Sequence, residues 1–207
     1  VGDKWVYAGA FDPTVLVQSA GVDAAVGTIN GDATTTVDAV SEVDIDGIPT
    51  LVYETSSKAD FDKGGVTLES YTGNLFIQYQ VDEVRRVSDL AKLSTELSLN
   101  VRYVPYGISS LTQQIADITI TTTYDPMSEN YDFPLRIGET WNTSYVSSTA
   151  WSGSSDYITP FPQPTSGANH TNWEITDVGK PINSLGEQIG YGGCNASYEL
   201  KSYDDNG

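Results

Sequence analysis

The sequence predicts a mainly β protein with little helix, built from two related repeats within a single β domain, residues 1–207. Three observations lead there. Apolar and polar residues alternate with a period of two rather than the helical period of about 3.6. Asp46-Gly47 and other Gly- and Asn-containing clusters interrupt these runs with turn chemistry. The opening Gly2-Asp3-Lys4-Trp5-Val6-Tyr7 is echoed by Gly138-Glu139-Thr140-Trp141-Asn142-Thr143-Ser144-Tyr145, a Gly-acid-x-Trp start followed closely by Tyr.

Residues 34–43 alternate around Thr36, Asp38, Val40 and Glu42, and residues 50–55 resume the pattern after Asp46-Gly47. Asp-Gly supplies the positive backbone dihedrals of a tight primed turn, so this stretch reads as a hairpin. Lys63-Gly64-Gly65 reads as the end of the returning strand. Residues 66–71 and 75–81 then extend the meander through a turn at Thr72-Gly73-Asn74. Residues 84–97 fit two periods. Val84, Val87, Leu90, Ala91 and Leu97 would line a helix face, whereas Leu93, Thr95, Leu97, Leu99 and Val101 alternate as a strand. The reading adopted is a short turn or helical piece at 88–91, capped by Ser88, and a strand from about Lys92 to Tyr103. Residues 115–124 form a further strand, ended by Pro126, which has no N–H to give a ladder.

The repeats divide as 1–126 and 127–207, the second incomplete at its C-terminus. A hairpin ending in Tyr53-Glu54-Thr55 and then Asp62-Lys63-Gly64 corresponds to one ending in Tyr198-Glu199-Leu200 and then Asp204-Asp205-Asn206-Gly207. Strands follow the first of these and not the second. The strand carrying Ala196, Tyr198, Leu200 and Tyr203 is therefore expected to present an assembly edge, completed by residues beyond Gly207 or by a neighbouring subunit.

Composition narrows the class of partner. A chain of 207 residues, 39% hydrophobic, is long enough for a substantial core. Its 28 acidic and 10 basic residues give a net charge of -18, which opposes contact with phosphate backbones or anionic lipid headgroups, so no nucleic-acid partner is expected. The acids are spread along the chain and suit a solvated surface, with adaptation to salt or binding of divalent cations as the alternative. Cys194 is the only cysteine: it either pairs outside this stretch or stays a buried free thiol. No apolar run approaches the ~20 residues of a membrane-spanning helix, so no transmembrane segment is expected in this stretch. No leader stands at the start, so an exported protein would be numbered here from after its removal.

Three acceptor sequons, Asn142-Thr143-Ser144, Asn169-His170-Thr171 and Asn195-Ala196-Ser197, point to export and N-linked glycans, with all three asparagines exposed. Catalysis finds little support. His170, the only histidine, lies inside a sequon whose sequence neighbourhood does not offer the residues that general-base or metal chemistry would need. Asp44 with Asp46, and Asp60 with Asp62, share a strand face without forming an acid-base pair. Asp44-Ile45-Asp46-Gly47 opens like a calcium loop but lacks its later ligands, so a turn explains it better. There is no phosphate loop or nucleophile motif, and no enzyme, cofactor or metal site is expected. Trp5, Tyr7, Trp141, Tyr145 and Trp173 are expected to pack the inner face of the sheet, and Trp151 to sit in a long exposed contact loop running to Pro164.

Val1-Gly2-Asp3-Lys4-Trp5-Val6-Tyr7 and Tyr131-Asp132-Phe133-Pro134-Leu135-Arg136-Ile137-Gly138-Glu139-Thr140-Trp141 resemble the "vGdxWvY" opening and "yxFPLxvGxxW" restart of secreted archaeal and bacterial β domains. Gly2, Trp5, Tyr7, Phe133, Pro134, Gly138 and Trp141 carry the resemblance. It implies a curved antiparallel sheet or half-barrel, distantly like the lipoprotein-sorting proteins of Gram-negative envelopes, some of which hold acyl chains in the concave face. It also implies that Gly193-Cys194 and residues 196–200 match the family's late strand. Two functions follow as expectations. One is an extracellular structural glycoprotein of the cell surface, a subunit of an S-layer or filament that associates with itself or with neighbouring surface proteins. The other is a secreted or envelope-anchored module that binds a lipid or other apolar ligand.

Overall fold

Alternation of apolar and polar residues produces strands throughout the computed structural model, which describes residues 1–11, 24–68, 70–129, 131, 136, 138–155, 160, 162–178, 190–191, 194–195 and 198–203. They are β1 (Lys4–Phe11), β2 (Ala24–Ala25), β3 (Ile29–Ile45), β4 (Ile48–Leu68), β5 (Tyr71–Arg86), β6 (Lys92–Pro105), β7 (Gln113–Ser128), β8 (Thr140–Ser155), β9 (Thr165–Val178), β10 (Gly190–Tyr191), β11 (Cys194–Asn195) and β12 (Tyr198–Tyr203). Among the described residues the only helical element is a 3₁₀ turn, Ser109–Leu111. Ten strands form one curved, unclosed sheet in the order β1-β3-β4-β5-β6-β7-β8-β9-β12, with β2 against β4; β10 and β11 form a separate ribbon. Every pairing is antiparallel, so the chain meanders from one edge to the other.

The hairpin at Asp46-Gly47 forms as its chemistry requires. Ile45 pairs with Ile48, the turn residues have φ of 54° and 80°, and the Gly47 amide donates to the Asp44 carboxylate at 2.8 Å. Residues 88–91 form a turn and not a helix. The Leu90 amide donates to the Arg86 carbonyl and the Arg86 amide to the Ala91 carbonyl, while the Arg86 guanidinium pairs with Asp89. β6 then begins at Lys92 and runs to Pro105.

Four local expectations are corrected. Lys63-Gly64-Gly65 does not end β4: Gly65, at φ 76°, is the extra residue of a bulge, and pairing resumes at Val66. Thr72-Gly73-Asn74 is no turn but the start of β5, and the chain reverses between Leu68 and Tyr71. Gly73 is required there because a Cβ would stand 2.3 Å from the Val104 carbonyl oxygen on β6. Pro126 does not stop β7. The β6 ladder passes from Ser94↔Thr123 to Lys92↔Ser128, so residues 124–127 lie within an irregularity where a missing N–H is tolerated. Trp151 is in β8 opposite Ile120 and not in a loop, its Ser- and Gly-rich neighbours continuing the strand.

The register gives the sheet two unlike faces. Side chains of paired residues project together, so Trp5, Ala33, Ala59, Tyr79, Leu99, Ile118 and Gly153 share one face, while Thr34, Lys58, Gln80, Ser98 and Thr119 share the other. The first is the apolar face. At one end of it Ile29, Val66, Leu68, Leu75, Ile77 and Tyr103 cluster with Val26, and Phe61, Leu99, Val101 and Ile115 pack against them.

Candidate functional site

Among the described residues the sheet is open on both sides, and its first edge is the better described. β1 reads Lys-Trp-Val-Tyr-Ala-Gly-Ala-Phe and pairs with β3 over eight residues without a register shift. Edge strands are commonly defended by bulges, prolines or inward-pointing charges. β1 has none of these and only one charged residue, Lys4. Its large side chains are in solvent: Trp5 is 45% exposed, Val6 62% and Tyr7 57%. This corrects the expectation that Trp5 and Tyr7 pack the inner face. They lie on the apolar face, but at an edge where no further described strand flanks them.

Hydrogen bonding shows which backbone groups of β1 are committed. The Val37 amide donates to the Asp3 carbonyl at 3.0 Å, and Lys4 stands opposite Thr36, so Asp3 turns its carbonyl toward β3. Antiparallel pairs alternate, so Trp5, Tyr7, Gly9 and Phe11 point their N–H and C=O groups at β3. Lys4, Val6, Ala8 and Ala10 point theirs away from it.

Around β8 and β9 the apolar face is aromatic. Trp141 and Trp173 stack across the ladder, ring centroids 6.0 Å apart and planes at 12°, and Tyr124 meets Tyr145 edge to face at 5.5 Å. The Trp173 indole donates to Thr143 Oγ1 at 2.8 Å, and Thr143 in turn donates to the Glu129 carbonyl at 3.0 Å. Trp141 Nε1 is buried without a partner.

The middle of the polar face holds two adjoining shallow grooves of about 310 and 280 Å³. Their polar side chains largely satisfy one another. Ser56 and Gln80 both donate to the Asp82 carboxylate, and Gln78 donates to Asp60 at 3.0 Å. On the other face, the one Tyr79 occupies, Glu83 accepts from Arg85 at 2.7 Å and from Lys92 at 2.9 Å. Partial burial pushes the Glu83 carboxyl upward, but the hydrogen bonds and charges of Lys92 and Arg85 outweigh it and hold the group below its ordinary range. Among the described residues no three His, Cys, Asp or Glu side chains are placed to hold a metal ion. No helix among them is long and apolar enough to cross a membrane.

Parity separates the sequons. Asn142 lies on the polar face of β8, opposite Asn172, and is exposed. Asn169 lies on the apolar face of β9, half-buried, and its amide donates to Ser147 Oγ at 2.9 Å and to the Gly167 carbonyl at 3.1 Å. His170 Nδ1 is 2.6 Å from Ser144 Oγ, an exposed contact between β8 and β9. Asn195 is in β11 opposite Gly190.

Of the motif residues, Gly2 and Gly138 take equivalent backbone positions, with φ of 86° and 78°, each two residues before a strand whose second residue is Trp5 or Trp141. Phe133, Pro134 and Ala196 lie outside the described residues. Tyr198, Leu200 and Tyr203 pair with Val178, Ile175 and Asn172, which makes β12 the last strand of the sheet. Sequence reasoning looked for the assembly edge here and overlooked β1, whose signal was an apolar run without an acid from Lys4 to Phe11. The chain matches no protein-family model, no curated protein and no solved structure.

Proposed function

We propose that this protein is an extracellular structural glycoprotein, a self-associating subunit of a cell-surface layer or filament. The observation that carries the reading is the open sheet, with an apolar β1 whose only charge is Lys4 at one edge and β12 at the other. A strand of that kind is a liability in a free monomer and an asset in an assembly. The acidic, self-satisfied polar face would remain in solvent, and a glycan on Asn142 would project from that side. The likeness of the two Gly-acid-x-Trp stretches to secreted β domains supports the same placement.

A second reading, a module that holds a lipid or other apolar ligand, draws on the apolar face, where Leu97, Leu99 and Ile120 are only half-buried. Light scattering on protein purified from its source, with intact-mass and peptide mapping, separates the two. Particles many times the 22.3 kDa of the chain, with added mass on Asn142, support the structural reading. A monomer whose organic extract contains stoichiometric lipid supports the second reading and removes the first.

A further inference from the structure

We infer that β1 is a docking strand for β1 of a second copy, joined antiparallel about a two-fold axis through Val6. The inference specifies one contact of the proposed self-association, the one that pairs subunits, and rests on that reading.

The partner must first offer a β-strand, because the groups β1 leaves open are the N–H and C=O of Lys4, Val6, Ala8 and Ala10 at alternate positions. A second β1 meets that requirement in a register that also suits the side chains. With Val6 opposite Val6 of the other copy, Lys4 faces Ala8 and the outward groups of both strands coincide, which gives about six backbone hydrogen bonds. The same register sets Trp5 opposite Tyr7 of the other copy, twice, at the non-hydrogen-bonded sites where facing side chains come closest. Both aromatics are exposed in the single chain.

β12 is the less suitable mate. The path from β1 to β12 alternates direction through nine strands, so the two edges run the same way and, with the apolar faces of both copies on one side, would meet in a parallel ladder. Parallel pairing is somewhat weaker per residue, and β12 offers only six residues. Charge agrees with a second copy: the molecule carries -18, yet β1 contains no acid, so the repulsion between copies is greatest away from the joint. Added salt should therefore tighten the association.

The test is sedimentation of the full chain over a range of concentrations, at low and high salt, beside Val6→Pro. Proline removes the central outward N–H and leaves the β1–β3 hydrogen bonds in place, because Val6 makes none of them. The expected result is an association that strengthens with salt and weakens at least tenfold in Val6→Pro, with an unchanged far-ultraviolet dichroism spectrum. Thiol crosslinking gives a second arm that does not depend on that variant folding. In a Cys194→Ser background, a short thiol-to-thiol reagent should join Val6→Cys chains and not Ala10→Cys chains, whose thiols would lie about 27 Å apart along the ladder. Association undiminished in Val6→Pro, or equal crosslinking at both positions, overturns the β1 contact while leaving self-association intact. A monomer under every condition overturns both.

Discussion

Tyr103→Phe is the cleanest probe of how the long strands are held. Tyr103 is 1% exposed, on β6 opposite Leu75. Its hydroxyl donates to the Tyr71 carbonyl and lies 3.2 Å from the Val66 carbonyl oxygen, so it reaches past β5 to the stretch of β4 that follows the Gly65 bulge. The ring keeps its place when only the oxygen is removed, so apolar burial is nearly unchanged. The loss is that of a hydrogen bond whose part-buried carbonyl partner is left poorly satisfied, about 1–3 kcal/mol. A cost near 2 kcal/mol is expected, which for a chain of this length lowers Tm by roughly 4–8 °C. Urea unfolding should show a lower midpoint with an unchanged slope. Tyr103→Ala, which also empties the ring's volume, should cost about 3–5 kcal/mol. A Phe variant within about 0.5 kcal/mol of the parent would refute the assigned role of the hydroxyl.

Gly73→Ala should be more severe than any substitution at a turn glycine, because the new Cβ meets the Val104 carbonyl oxygen at 2.3 Å and the Pro105 Cα at 2.8 Å, both backbone atoms that cannot swing aside. Loss of soluble protein, or destabilisation above about 3 kcal/mol, is expected, and near-parental stability would contradict the β5–β6 register. Acid should weaken the Glu83 cluster. Its folded pKa lies below the ordinary value of 4.5, so its contribution is full above that value and is lost as pH falls through the folded pKa. Protonation of the other acids relieves the negative net charge and acts in the opposite sense. The readout is therefore the stability difference between parent and Glu83→Gln, which should be constant near neutrality and shrink below about pH 4.5. A difference independent of pH would remove the ion-pair account.

What could be read from the sequence was local. Asp46-Gly47 was legible because few residue pairs adopt two successive positive φ values, and the start of β6 because Leu93, Thr95, Leu97, Leu99 and Val101 alternate cleanly. Gly73 and Pro126 were misread for one reason: both are breakers whose meaning depends on the neighbouring strand. Gly73 answers to the Val104 carbonyl, and Pro126 sits where the β6 ladder skips from Thr123 to Ser128. Trp151 was misplaced because Ser and Gly beside it resemble a loop, although the alternate residues of β8 continue the ladder with Ile120 and Ile118. The edge was the least legible feature. The apolar run from Lys4 to Phe11 was in view, but its exposure follows from the order of strands across the whole sheet. Likewise, that Asn142 and Asn169 lie on opposite faces follows from the β8–β9 register and not from the sequons.

Residue-resolved amide exchange on β1 tests the central claim most directly, compared between dilute protein and conditions where the protein associates. In the monomer, amides at Trp5, Tyr7 and Gly9 should be protected by β3, while those at Lys4, Val6, Ala8 and Ala10 exchange freely. In the assembly Lys4, Val6 and Ala8 should become protected as well, which yields a continuous run from Lys4 to Gly9, while Ala10, opposite Gly2 of the other copy, stays outside the six-bond ladder. Amides at Lys4, Val6 and Ala8 that exchange equally fast in both states would contradict the account.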